Sequence, residues 1–261
     1  MGSDGLEREV HALDQERACL SLTGFRTVEV AGTDAGAWLQ DLVTADVLAL
    51  APGGAARSLL LGPTGRIRAD LHVLREPGCF LLLQALDQPA PVDGLLAPYV
   101  LSSDVTLRQR PNPDLVAVPR VGAWAFRPSG TDGLEPVGPD ALEAWRIRHG
   151  VARFPVDLDE DSLPAEAGLD DGVVIDRTKG CYLGQESVAK VRNLGHPARV
   201  VLGLQGEGPV HPGDPVLAEG AEVGVVTSVE PSGGRGRAIA RVRWTARDAE
   251  LRAAGGAALR R

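Results

Sequence analysis

The chain has 261 residues, 44% hydrophobic and 24% charged, with a formal net charge of −8, the composition of a folded globular protein with room for one large or several small cores. That acidic balance argues against bulk electrostatic coating of nucleic acid, leaving only a local basic groove open. Three scattered cysteines, Cys19, Cys79 and Cys181, show no Cys-x-x-Cys or Cys/His spacing, which speaks against a disulfide framework and a zinc site.

Met1 to Gln15 is polar and lacks the apolar centre of a signal peptide, and the richest apolar run, Cys79 to Leu83, is far shorter than a membrane span. A cytoplasmic protein without a membrane partner is expected. Residues up to Thr23 read as a lead-in with one short edge strand at Ala18 to Leu22. Thr27 to Val30 alternates as a half-buried strand, Gly32-Thr33-Asp34 offers a helix N-cap, and Ala35 to Val43 places Trp38, Leu39 and Leu42 on one helical face. Arg57 to Leu61 and Ile67 to Arg75 are two strands about the turn Gly62-Pro63-Thr64-Gly65, and Cys79 to Gln84 completes a meander. On the second strand Asp70 falls at an outward position, either a solvated residue or a ligand contact.

Pro91 to Leu101 has helical spacing and Asp104 to Gln109 reads as the strand after it. Beyond a boundary loop at Arg108 to Pro113, two short strands are expected at Leu115 to Val118 and Ala123 to Phe126, then an exposed connection over Arg127 to Pro139. A helix follows over Asp140 to His149, closed by Gly150. The acidic run Asp157 to Asp161 reads as a solvated loop and Val173 to Ile175 as a short strand. From Val200 onward short strands split by Gly/Pro turns predict a small antiparallel barrel, with a frayed tail from Ala253.

The densest chemistry lies in Lys179-Gly180-Cys181-Tyr182-Leu183-Gly184-Gln185-Glu186, followed by a helix from about Val188. A thiolate at Cys181 would be favoured by the start of that helix and by the Lys179 cation two residues away. Tyr182 offers a ring to stack on a flat ligand, and Gln185 and Glu186 offer groups to read its edge. The alternative is structural: Cys181 as a small buried filler, Gly184 as a tight turn, Glu186 as a first-turn carboxylate.

This stretch resembles the K-G-C-[FY]-x-G-Q-E signature of the YgfZ-type folate-binding family, relatives of the glycine-cleavage T-protein, an aminomethyltransferase. Further likeness lies in Gly32 to Val47, in the hairpin Gly62 to Asp70, in Arg146-Ile147-Arg148-His149-Gly150, in Leu163 to Leu169 and in Ala221 to Ser228. The resemblance implies an α+β, T-protein-like, three-lobed fold: an N-terminal α+β lobe over 1–110, a second α+β lobe with the signature over 111–195, and a C-terminal β-barrel over 196–261. It also implies a bound tetrahydrofolate or derivative, with Asp70, Tyr182, Gln185 and Glu186 around it and Cys181 and Lys179 as the reactive groups. The partners would be iron–sulfur proteins or assembly factors, and the role support of iron–sulfur enzymes such as those that modify tRNA. The alternative is a tetrahydrofolate-dependent aminomethyltransferase or other one-carbon transferase. T-proteins carry carboxylates where this chain has Ala69 and Arg148, departures that weigh against that chemistry.

Overall fold

The computed structural model describes residues 3–231 and 236–261; Met1 and Gly2 of the expected lead-in lie outside the described residues. The rest of that lead-in is largely a helix, α1 (Ser3–Asp14). Its Leu6, Val10 and Leu13 stand four and three residues apart, one helical stripe, and pack on Ala141, Ala144 and Trp145. Among so many charged neighbours the stripe is faint in sequence, and tertiary burial decides it.

Strands β1 (Ala18–Ser21) and β2 (Phe25–Ala31) lead into α2 (Ala35–Gln40), then β3 (Ala55–Leu61), β4 (Ile67–Glu76), β5 (Cys79–Ala85), α3 (Val92–Leu96) and β6 (Thr106–Arg110). Five of these strands form an antiparallel sheet of order β3-β4-β5-β2-β6, with the predicted meander at one side. Leu60, Ala69, Leu71, Val73 and Leu82 turn to one face and bury against Trp38, Leu39 and Leu96, so Trp38 is core. Helix α2 ends three residues short of the predicted Val43.

A second sheet, β8-β7-β1-β9, takes β7 (Leu115–Val118), β8 (Ala125–Pro128) and β9 (Glu135–Pro136), the last an exposed two-residue strand within the predicted exposed connection. The early strand β1 pairs antiparallel with β7 and parallel with β9. Leu20 and Ala117 from this sheet meet Leu74, Leu81 and Leu83 from the first. The five-stranded sheet is therefore covered on both faces. Helix α4 (Pro139–Arg148) lies against α1.

Val173 to Ile175 do not form the predicted strand. Val174 and Ile175 bury beside Leu59 and Ile67, and the chain is held by single bonds to Thr44 rather than by a ladder. Helix α5 (Gln185–Leu194) begins three residues before the predicted start. The closed barrel β10-β13-β12-β11-β14-β15 follows, from β10 (Arg199–Gly206), β11 (Pro215–Ala218), β12 (Ala221–Val229), β13 (Arg237–Arg243), β14 (Leu251–Ala253) and β15 (Ala258–Arg260). The tail expected to fray instead supplies the last strand. Leu251, Ala253 and Leu259 bury inside, and pairing of β15 with β10 removes both sheet edges.

Asp157 is one of the ties between the barrel and the region before it. Its carboxylate is fully buried and accepts from Arg146 Nη1 (2.6 Å), the Arg153 amide (2.9 Å), Thr227 Oγ1 (2.5 Å) and Ser228 Oγ (2.7 Å). The acidic run around it is thus in part structural, not wholly solvated as predicted. Glu143 also pairs with Arg146, Nε to Oε2 at 2.7 Å, so loss of Asp157 leaves the Arg153 amide and one Arg146 donor without their acceptor rather than a bare charge. Asp157→Ala is expected to lower unfolding free energy by about 2–3 kcal/mol, measured by denaturant titration; an unchanged midpoint would contradict the assignment.

Candidate functional site

The signature and the hairpin turn are one unit, built on two left-handed glycines. Gly184 has φ +82° and a Cβ there would stand 2.5 Å from the Gly62 carbonyl; Gly65 has φ +75° and its Cβ would stand 2.8 Å from Ser187 Cβ. Only glycine permits the turn to lie this close to the start of α5. Upstream, Asp176 Oδ1 accepts from the Thr178 amide (2.6 Å), the Thr178 hydroxyl (2.8 Å) and the Lys179 amide (2.8 Å), shaping the loop entry. The Leu183 amide donates to the Asp41 carbonyl at 3.0 Å.

Lys179 plays a different part from the one expected. Its buried Nζ donates to the carbonyls of Gln40 (2.5 Å), Val43 (2.6 Å) and Ala45 (3.0 Å), which is where α2 stops. Three acceptors take up the three N–H groups of an ammonium. Burial pushes this amine down to about 8, against the pull of Asp46, Asp41 and Asp176; the three carbonyl contacts favour the charged form. Lys179 therefore caps a helix end and pins the loop, and none of its donors is left for the thiol. Tyr182 is likewise drawn inward: its ring packs with Leu59, Ile67 and Phe154, and burial raises its phenol. Its ring centre lies 5.5 Å from Lys179 Nζ. Cys181 is exposed, which rules out the buried-filler reading; Gln185 is half-buried and Glu186 exposed.

A cavity of about 520 Å³ opens elsewhere, between the two sheets and α4. Asp70 lines it, whereas Lys179, Cys181, Tyr182, Gln185 and Glu186 do not. The six candidate residues thus divide between two places. Asp70 is not the solvated strand residue considered above, because the second sheet covers that face of β4. Arg57, across the hairpin, forks onto it, Nε to Oδ1 at 3.0 Å and Nη2 to Oδ2 at 2.6 Å, and also donates to the Ala152 carbonyl at 3.3 Å. Gln88 brackets the same residue, accepting from its amide (3.1 Å) and donating to its carbonyl (2.6 Å).

Beside Asp70, His72 stacks on Trp124 at 4.7 Å between ring centres and meets Phe126 edge-on at 5.5 Å. Burial pushes its imidazole down to about 4; Asp70 opposes this and Arg57 assists. The ring is neutral near pH 7. Three nitrogens of the lining residues, His72 Nδ1, Trp145 Nε1 and Arg153 Nε, are buried without a hydrogen-bond partner. Aromatic walls with a few convergent polar groups suit a flat heterocyclic ligand.

Both departures from T-proteins find a physical account. Ala69 is fully buried in the core under α2, with no polar surroundings for a carboxylate. Arg148 donates to both oxygens of Glu7 (2.8 and 2.6 Å) and through Nε to Glu230 (2.8 Å), so it ties α1 to the barrel and does not line the cavity. Arg57, His72, Trp124 and Trp145 were outside the sequence expectation for the site. Arg57 and His72 carry a signal of a kind, polar side chains inside strongly apolar strands, but Trp124 and Trp145 reach the cavity only through tertiary packing.

A base whose folded pKa lies below its unfolded value stabilises the fold at high pH, and that stability is lost as pH falls toward the folded value. For His72 the window runs from about 6.5 down to about 4. Between pH 7.5 and 5 the wild type is expected to lose about 2 kcal/mol more than His72→Phe, read from denaturant midpoints at each pH. Parallel losses in the two proteins would show that this imidazole is not buried neutral.

Residues 2–88 match the family described as the GCVT N-terminal domain. An aminomethyltransferase of Herpetosiphon aurantiacus is 35% identical over 111 residues, 41% of this chain and 30% of that protein. One of Alcanivorax borkumensis is 22% identical over 289 residues, covering 90% of this chain and 80% of its relative. An uncharacterized protein of Haemophilus influenzae is 27% identical over 204 residues, 70% of this chain and 71% of that one. With the Herpetosiphon protein, then, the match spans under a third of the relative's length. The glycine cleavage system aminomethyltransferase T of Bartonella henselae superposes with a TM-score of 0.77 at 18% identity, over 96% of this chain and 87% of that one, which shows the fold. In sequence over residues 2–88, and in its α+β lobes and C-terminal barrel, the protein is GcvT-like.

Proposed function

We propose that the protein is a folate-binding accessory factor that supports iron–sulfur enzymes, tRNA-modifying ones among them, rather than an aminomethyltransferase. The observation that carries the ligand half is the cavity between the sheets. Its volume of about 520 Å³ lies within the range of small-molecule sites. Its stacked rings fit a tetrahydrofolate ring system. His72, Trp145 and Phe154 would hold the ring, and Arg153 at the cavity wall is placed for an anionic tail. The folate would supply a one-carbon carrier; the chain supplies binding and orientation.

Against turnover stand the carboxylates. Proton transfer to or from a one-carbon carrier needs a carboxyl group free to approach it. Asp70 has both oxygens engaged by Arg57, Ala69 has none, and Arg148 has reversed the charge. The relatives named as aminomethyltransferases favour the transferase reading. The site residues favour binding without it.

The iron–sulfur half rests on the likeness of Lys179 to Glu186 to the YgfZ-type signature and on the exposure of Cys181. A cluster takes several thiolates. Cys19 is buried, Cys79 half-buried and each lies on a separate element, so further ligands would come from a partner protein.

Calorimetric titration with tetrahydrofolate is expected to give a dissociation constant in the micromolar range, about 1–100 μM, with no methylene-tetrahydrofolate formed from an aminomethylated lipoyl carrier. Absence of binding overturns the ligand reading, and sustained turnover overturns the ranking. Cys181→Ser is expected to fold normally and bind folate yet fail to restore iron–sulfur enzyme activity in a deletion strain; full restoration removes the thiol from the account.

A further inference from the structure

Within an acidic chain the cations are segregated. Residues 187–206 and 231–247 hold eight Lys or Arg and no Asp or Glu, while the rest of the chain keeps 19 Lys or Arg against 35 Asp or Glu. The fold brings the two segments together, because β10 pairs with β13 along seven positions. Arg199 thereby stands directly opposite Arg243, and like charges so placed cost stability. Arg199 is drawn off by Glu166 at 3.3 Å, and Arg241 by Asp159 at 2.7 Å. Arg243 is exposed, as are Lys190 and Arg192 near the end of α5, and among the described residues none of these three has an ion pair.

A flat stack stands beside them. His196, two residues beyond α5, lies 4.9 Å from Trp244 between ring centres and 5° between planes. Arg247 places its guanidinium 4.2 Å from the centre of the same indole. The Trp244 amide donates to the Ala198 carbonyl at 2.9 Å, which holds the chain after α5 against the end of β13. His196 is exposed, and since Trp244 covers one face of its imidazole, the accessible surface is the other face and the edge. Asp248, the carboxylate beside Arg247, is shared between Arg247 at 3.1 Å and Arg261 at 3.2 Å, so it does not neutralise the face.

We propose that this face, where the end of α5 meets the barrel, binds single-stranded nucleic acid. Lys190, Arg192 and Arg243 meet the phosphates, and a base stacks on the open side of His196. An acidic protein surface would satisfy the cations but has no use for a ring held flat by an indole behind it, and a duplex keeps its base faces covered. The cost of holding Arg243 opposite Arg199 is then recovered when a phosphate lies between them. The inference is independent of the cavity between the sheets and of any folate.

The test is fluorescence anisotropy of the full chain with a labelled RNA of about 12 nucleotides without self-complementarity, repeated over a series of salt concentrations, with inorganic polyphosphate as a competitor that carries no bases. A dissociation constant of about 10 μM is expected at low salt, with log affinity falling against log salt at a slope of about −2, three phosphates at about 0.7 each. Arg243→Gln is expected to reduce that slope by about 0.7, and His196→Ala to weaken binding at least about fivefold with the slope unchanged. Arg243→Gln also relieves the repulsion with Arg199 and is expected to fold at least as stably as the wild type, so it decides even where His196→Ala does not fold. No RNA binding at low salt overturns the inference, as does binding whose slope Arg243→Gln leaves unchanged. Polyphosphate that displaces the RNA at equal phosphate concentration, with His196→Ala binding like the wild type, makes the face a site for acidic partners and also overturns it.

Discussion

Arg57 and Asp70 place two opposite charges on a sheet face that a second layer covers. Such a pair is held together because separating or removing either member leaves a charge without water or partner. The fork fixes the β3–β4 pairing, the carbonyl of Ala152 takes a further Arg57 donor, and Gln88 closes around the Asp70 backbone. Close packing fails around this polar island. The space left between the sheets and α4 is the cavity, and its aromatic walls come from the chain segments that cover the island.

The signature loop stands at the hairpin-turn end of the same strands. Leu59, Leu61 and Ile67 pack with Tyr182 and Val188 there, while Lys179 caps the end of α2 and the two left-handed glycines lock α5 to the hairpin turn. A shift of this loop would thus be felt by β3 and β4 and so by Arg57 and Asp70. The conspicuous residues of the signature serve mostly this anchoring: the amine is taken by carbonyls, the phenol ring is core, and the glycines allow close approach. Cys181 is what the anchoring leaves exposed.

Much of the fold is legible in the sequence because its signals are local. The Gly62 to Gly65 turn, the alternation in β4 and the Gly/Pro-split strands of the barrel each announce themselves within a dozen residues. Helix α1 and strand β15 are missed where burial by distant partners overrides a charged or small-residue composition, and Val173 to Ile175 look like a strand because a buried coil is apolar too. The site is less legible. Lys179 reads as a cation beside a thiol, since nothing local shows that three carbonyls from residues 40–45 surround it. The cavity draws on residues from position 20 to position 154, and no spacing rule brings Trp124 to His72.

The central claim is that the ring site lies between the sheets and not at the signature. A crystal structure of the protein soaked with tetrahydrofolate tests it most directly. The account predicts ring density between His72, Trp145 and Phe154, with Asp70 still forked by Arg57. Density lying instead against Cys181 and Glu186, with the cavity between the sheets unchanged, would contradict it.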